Sequence, residues 1–338
     1  MDTFPDSFEM PPRVQKRAFP AAFLETLKCE IQPIHPKSWE GLFDSCKDIT
    51  LPQGTFRVYF AGNRGPRVLC LHGCGLSALS FAAFANECKN FCQIIAPDFR
   101  GHGNSHSTND IDFSLKTLSN DTKDIVENII GDDLETPLVV LGHSMGGAIA
   151  CEYCHIETKY PIKGLLVLDV VEQTAIDALS HMNMVIMRKP KTFSSLESAI
   201  AWSFNSGTLQ NRDSACISIP DQLKQEGDHY VWKVDLTKSE PYWKDWYTGM
   251  NKKFLSAPGY KLLAVAGRDR LDKELTIAQM QGKFQMVVLN GLGHHLHEDN
   301  PREMSHVLQR YLWRYKFISE ELEKELVKEK LLNEYYNL

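Results

Sequence analysis

No stretch of the 338-residue chain is apolar for long enough to span a membrane as a helix. The N-terminal segment Met1–Pro20 mixes acidic, basic and proline residues without an apolar core, so no secretory signal is expected there. A positive excess is also missing. The formal net charge is −6, which removes the general attraction to nucleic acid or anionic lipid, and neither is expected as a partner. The nine cysteines are odd in number and scattered, a usage that favours free thiols in a reducing compartment. A cytoplasmic protein is expected, with the nucleus also open to it, and not a secreted one. Cys151-x-x-Cys154 has no second pair to complete a zinc site and reads as two small helix-packing residues, so no metal or cofactor is expected. Internal repeats and low-complexity tracts are absent too.

What is present is an alternation of short β-rich runs and helix-length stretches. Thr55–Tyr59, Arg67–Leu71, Gln93–Ala96, Leu138–Leu141 and Leu165–Leu168 read as strands, with helices over Leu76–Cys88, Leu115–Ile130 and Gly146–His155 between them. The runs are apolar on both faces, as in a mainly parallel central sheet covered by helices on both sides, an α/β class. After Asp169 the rhythm breaks. Residues 170–258 carry Met- and Trp-rich helical stretches (Met182, Met184, Met187, Trp202, Trp232, Trp243, Trp246), expected to be an inserted helical lid. The core then resumes with strands Lys261–Ala266 and Gln285–Leu289 and the amphipathic helix Pro301–Tyr315. The expected organisation is an irregular N-terminal arm over 1–50, with a short helix near Phe19–Cys29, then a core over 51–169 and 259–316. The chain closes with a charged, solvated helix over 317–338, with apolar Leu322, Leu326 and Leu331–Leu332.

Gly142-His143-Ser144-Met145-Gly146 follows one of these strands and opens a small-residue helix. A strand, a sharp turn and a helix are the setting in which a serine is strained and lifted clear of a sheet as a nucleophile, and they point to an α/β-hydrolase fold. A serine hydroxyl needs a base, and the base needs an acid that orients it. In this fold the histidine follows the last strand, where Gly293-His294 stands, with His295 and His297 as rivals. Two aspartates compete as the acid. Asp169 ends the run Leu165–Leu168, and Asp269 follows Leu262–Ala266, the position that the commoner layout favours. The oxyanion hole requires the backbone N–H of Met145 and one from the loop Leu71-His72-Gly73-Cys74-Gly75, where Cys74 is the candidate donor and its thiol a bystander. Asp98 and Arg100, in the turn after Ile94–Ala96, read as buttresses of that loop.

The match then widens beyond the elbow. Thr55-Phe56-Arg57-Val58-Tyr59, Ser77-Ala78-Leu79-Ser80-Phe81, Asp169-Val170-Val171-Glu172, Lys189-Pro190-Lys191-Thr192-Phe193, Asp269-Arg270-Leu271-Asp272 and the segment from Leu275 to Met286 resemble the protein phosphatase methylesterases. The resemblance spans roughly residues 55 to 315. It implies a serine carboxylesterase that removes the methyl ester from the C-terminal leucine of the protein phosphatase 2A catalytic subunit, without a cofactor and with the phosphatase tail as substrate. It also implies Asp169 as the acid, which leaves Asp269 structural or substrate-side. The chain departs from the family around Gln222–His229, which is short where many animal members carry an acidic insertion, and residues 1–50 and 317–338 do not match. A small-molecule esterase or thioesterase of the same fold and a non-catalytic phosphatase-binding protein are the alternatives.

Overall fold

A nine-stranded, mostly parallel sheet forms from the runs that are apolar on both faces. The structure, a computed structural model, describes residues 34–267 and 271–329. The helix expected near Phe19–Cys29, the candidate acid Asp269 and the pair Leu331–Leu332 lie outside the described residues.

Strands β1 (Ser45–Leu51), β2 (Gly54–Ala61), β3 (Arg67–Leu71), β4 (Gln93–Pro97), β5 (His106–Ser107), β6 (Leu138–His143) and β7 (Ile162–Leu168) come first. Next come three short strands, β8 (Thr192–Phe193), β9 (Leu223–Glu226) and β10 (His229–Trp232), and then β11 (Tyr260–Val265) and β12 (Gln285–Val288). The main sheet runs β1-β2-β4-β3-β6-β7-β11-β12, with β5 paired to β2. The pairs β1/β2, β2/β4 and β2/β5 are antiparallel, whereas every pair from β4/β3 to β11/β12 is parallel. The helices are α1 (Ala82–Cys88), α2 (Leu115–Ile130), α3 (Met145–Tyr153), α4 (Glu172–Arg188), α5 (Leu196–Asn205), α6 (Arg212–Asp221), α7 (Trp243–Tyr247), α8 (Met250–Ser256), α9 (Lys273–Met280), α10 (Leu296–Asp299), α11 (Pro301–Arg314) and α12 (Glu320–Lys328).

Successive strand residues face opposite layers, as the pleat requires. Leu69, Val140 and Leu165 join Leu118 and Ile125 of α2 and Ile149 of α3 in one buried cluster. Their neighbours Val68, Leu141 and Leu166 join Phe84 of α1 and Leu308 and Tyr311 of α11 in the other. Among the described residues no helix is long and apolar enough to cross a membrane.

Three expectations need correction. Ser45–Leu51, all but its last residue in the arm expected to be irregular, is an edge strand in full antiparallel register with β2, from Ser45 opposite Phe60 to Leu51 opposite Gly54. Its signal was a hairpin turn, Pro52-Gln53, that ends in a glycine. The segment between β7 and β11, expected to be helical, also holds the antiparallel sheet β8-β10-β9. The β-prone run His229-Tyr230-Val231-Trp232 supplies its middle strand. Third, α12 is not solvated all round. Leu322 and Leu326, one turn apart, are buried in the second cluster with Ile318, and Arg64 pairs with Glu329 just beyond its end.

Candidate active site

The parallel strands deliver their carboxyl ends to one edge of the sheet, where ligands bind in folds of this class. Four loops meet there, those following β3, β6, β7 and β12. Ser144 sits between β6 and α3 with φ 54° and ψ −120°, a left-handed conformation that a non-glycine residue holds only when its surroundings impose it. The surroundings here are backbone. A Cβ on Gly142 would come within 2.1 Å of the Gly146 carbonyl oxygen, and one on Gly146 within 2.1 Å of the Leu71 carbonyl oxygen. Ser144 N–H donates to Leu168 O at 3.1 Å, tying the turn to the end of β7. Gly146→Ala is therefore expected to push α3 away from β3 and cost about 3 kcal/mol, read as a lower urea midpoint together with lost esterase activity. An unchanged midpoint would contradict this packing.

Asp169, directly after β7, also has a positive φ, 50°, and its side chain is fully buried. One carboxylate oxygen accepts from Ala266 N–H at 2.9 Å, and the other lies 2.8 Å from His294 Nδ1. Of the two candidate acids, Asp169 is the one brought to His294 within the described residues. His294 is partly open to solvent and lines the same chamber as Ser144. The rival histidines are engaged elsewhere. His295 Nδ1 meets Thr208 O at 3.0 Å, and burial, with His294 nearby, pushes its pKa down to about 3. His297 is fully buried and stacked on Phe81 at 4.2 Å.

His143, inside the elbow, donates from Nε2 to the backbone carbonyl of His294 at 2.9 Å and so links the serine turn to the histidine loop. Burial holds its pKa well below the usual imidazole range, with His294 adding to the effect, so it is neutral. Cys74 lines the chamber, and burial pushes its thiol up to about 11, leaving it protonated at neutral pH. Met145 opens α3, where a backbone N–H has no intrahelical acceptor. The loop that bears Cys74 is held from behind. Gly75 N–H donates to His102 Nε2 at 3.0 Å and Phe99 N–H to His72 Nε2 at 3.1 Å. Asp98 accepts from Ala78 and Asn104 N–H, and Arg100 makes a buried two-point pair with Asp121 at 2.6 and 2.8 Å. Asp98 and Arg100 thus brace the loop.

The chamber, about 160 Å³, is apolar on the side away from the serine, with Leu179, Met182, Ile186, Leu236 and Trp243 as its wall. Trp243 and Trp246 are pinned by indole hydrogen bonds to Ser239 Oγ and Phe113 O, both 2.7 Å. Met184 and Met187, from the same Met-rich stretch, point to solvent instead. Sequence reasoning missed Tyr247, whose hydroxyl meets the Ser144 side chain and whose pKa is raised chiefly by burial. It also missed Glu172, which receives Gly249 and Asn251 N–H at 2.9 Å each and fastens α4 to α8. Both functions depend on contacts between distant segments and leave no local pattern. Among the described residues no cluster of His, Cys, Asp and Glu is placed to hold a metal ion, and the cysteines are free thiols.

Glu298 is buried, and among the described residues neither of its carboxylate oxygens has a close hydrogen-bond partner. Burial pushes its pKa from 4.5 up to about 8, with Ser218 offsetting part of the rise and Asp299 adding to it. Between these values the folded state keeps a proton that the unfolded chain has lost, so stability falls as pH rises across the interval and levels off above it. Each pH unit in the window is worth at most about 1.4 kcal/mol. Glu298→Gln should flatten this dependence, so that the wild type loses more stability than the variant between pH 5 and pH 8.5 in urea titrations. Equal losses would show that Glu298 is already ionised in the fold.

Residues 68–307 match the profile of the alpha/beta hydrolase family. The chain is 41% identical over 282 residues to a probable protein phosphatase methylesterase 1 of Caenorhabditis elegans, covering 82% of this chain and 77% of that protein. It is 40% identical over 331 residues to the human protein phosphatase methylesterase 1, covering 83% and 86% respectively. Among solved structures it resembles a thioesterase domain from the curacin biosynthetic pathway, with a TM-score of 0.62 at 19% identity over 78% of this chain and 99% of that one. It also resembles E-2-(acetamidomethylene)succinate hydrolase, with a TM-score of 0.62 at 15% identity over 79% and 98%. The two structural likenesses establish the fold alone.

Proposed function

The chain belongs to the protein phosphatase methylesterase family of α/β hydrolases and is a carboxylic ester hydrolase; from that premise we propose that it removes the methyl ester from the C-terminal leucine of the protein phosphatase 2A catalytic subunit. One observation carries the reading: Ser144 in its left-handed turn and His294, held from behind by Asp169, line one small apolar chamber. His294 takes the Ser144 proton through Nε2 while Asp169 holds Nδ1–H and stabilises the imidazolium. Ser144 Oγ attacks the ester carbonyl, and the Met145 and Cys74 N–H groups receive the developing oxyanion. Methanol leaves with the proton from His294, and water then hydrolyses the acyl-enzyme by the same relay.

The chamber suits this substrate chemically. A methyl-esterified leucine is apolar and uncharged, so it desolvates into the wall of Leu179, Ile186 and Trp243 at little cost. The product ends in a carboxylate, which the same wall disfavours, and this drives release. The α4–α8 segment, residues 170–258, acts as the lid that supplies this wall, and the phosphatase body adds contacts outside it. The reading is tested by mass spectrometry of the methylated phosphatase after incubation with this protein. Loss of one methyl group from the C-terminal leucine is expected. An intact ester, beside efficient hydrolysis of a simple acyl ester, would assign the chain to small-molecule chemistry.

A further inference from the structure

Beside the Ser144 chamber lies a second cavity of about 90 Å³ that shares Cys74, Leu76 and His295 with it. Its outer wall is aromatic. Trp202 and Trp232 meet edge to face with centroids 5.7 Å apart, and Phe193 packs against both at 5.9 and 5.4 Å. Trp232 Nε1 donates to Pro190 O at 2.7 Å, which clamps the Lys189-Pro190-Lys191 turn to the ring. That clamp places Lys189 Nζ 3.9 Å from the Trp232 ring centroid. Ring contact on one side leaves the ammonium hydrogens on the other side without an acceptor among the described residues. Burial in this wall pushes the Lys189 pKa down to about 8, so it remains largely a cation at neutral pH.

Among the described residues, nothing that lines the cavity balances that charge. Glu298 lines it but is kept neutral by burial up to about pH 8, and His295 is neutral as well. Lys189 also lines a groove of about 550 Å³ that opens to the surface beside Met187, Val231 and Leu236. Asp235, the carboxylate of that groove, already accepts from Thr237 N–H and Oγ1 at 3.0 and 2.7 Å. The groove meets the Ser144 chamber at Ile186 and Leu236. A peptide end laid along it passes Lys189 on the way to the serine.

We propose that Lys189, seated on Trp232, is a specificity subsite for a carboxylate side chain of the substrate tail, a few residues before the esterified terminus. The proposal rests on the methylesterase reading above. A side-chain carboxylate at Lys189 satisfies the unpaired ammonium by a charge-assisted hydrogen bond, while Trp202 and Trp232 shield the pair from water. An extended chain advances about 3.3 Å per residue, so only positions close to the terminus can reach it.

The test uses leucine methyl-ester peptides in which each of the positions before the leucine carries Asp or Asn in turn. With wild-type protein, kcat/KM at one position should be about tenfold higher for Asp than for its uncharged isostere. Lys189→Met should bring that ratio close to one, and Lys189→Arg should retain most of it. The preference should also shrink in high salt, to the extent that solvent reaches the pair. If Asp and Asn peptides turn over equally at every position, the subsite is wrong while the esterase reading stands. If Lys189→Met leaves the ratio intact, the preference lies elsewhere and the proposal falls. If no peptide ester is hydrolysed, the methylesterase reading fails and takes the subsite with it.

Discussion

Ser144→Ala is expected to lower demethylation of the phosphatase tail by about 10⁵–10⁶-fold, leaving only what the oxyanion donors and substrate positioning supply. The elbow should be indifferent to the change, which removes only the hydroxyl's contact with Tyr247. Alanine keeps the Cβ and the same left-handed backbone at φ 54°, and the elbow is held by the Gly142 and Gly146 contacts and by the Ser144 N–H bond to Leu168 O, none of which involves the hydroxyl. The thermal midpoint should therefore stay within a few degrees of the wild-type value, the lost Tyr247 contact being the one cost, and binding of the methylated phosphatase should persist, since the chamber wall is untouched. Methyl release followed by mass spectrometry, with co-purification of the phosphatase as the binding readout, checks both parts. If the variant released methyl within tenfold of the wild-type rate, Ser144 would not be the nucleophile. If complex formation disappeared together with turnover, the serine hydroxyl would be part of the docking contact.

Asp169→Asn should cost about 10⁴-fold in kcat through the tautomer of His294. Asn can still accept the Ala266 N–H, now at 2.9 Å from the carboxylate, through its carbonyl oxygen. Its amide NH₂ then points at His294 Nδ1, which must become an acceptor. The proton moves to Nε2, so the imidazole presents a hydrogen to Ser144 instead of a lone pair and cannot serve as base. Because asparagine tolerates the left-handed backbone as well as aspartate does, stability should be nearly unchanged at φ 50°. Asp269→Asn, made alongside, should lose far less activity. A larger loss at Asp269 than at Asp169, at equal stability, would reverse the assignment of the acid.

The ambiguity between those aspartates shows where reading residues in order runs out. Both follow an apolar strand, and strand ends look alike in one dimension. What separates them is lateral order. β7 lies next to β6, with His143 opposite Leu168, so the residue after β7 stands beside the serine turn. The acid's partner, His294, arrives from a loop 125 residues later. Similarly, nothing local in the sequence assigns a role to Lys189, Tyr247, Glu172 or Glu298, although Glu172 and Lys189 lie within the stretches that carry the resemblance. Each acquires its character from a neighbour across the fold: the Trp232 ring, Ser144, the α8 backbone and the apolar walls around a carboxylate. The edge strand Ser45–Leu51 was overlooked because its sequence alternates weakly, and its pairing with β2 supplies the regularity.

Local chemistry needed no third dimension. A glycine two residues to either side of a serine, between an apolar run and a small-residue helix, already demanded the strained elbow, because backbone-to-backbone contact excludes any Cβ at those positions. Runs apolar on both faces demanded a covered parallel sheet, and the order of serine and histidine along the chain demanded their loops. Which aspartate reaches His294, how apolar the chamber beside Ser144 is, and which lysine lines the neighbouring cavity on the Trp232 ring required the folded chain. These depend on distance and solvent access between segments far apart in sequence. Charge desolvation and hydrogen-bond geometry change over a few ångströms, and residue order does not record them.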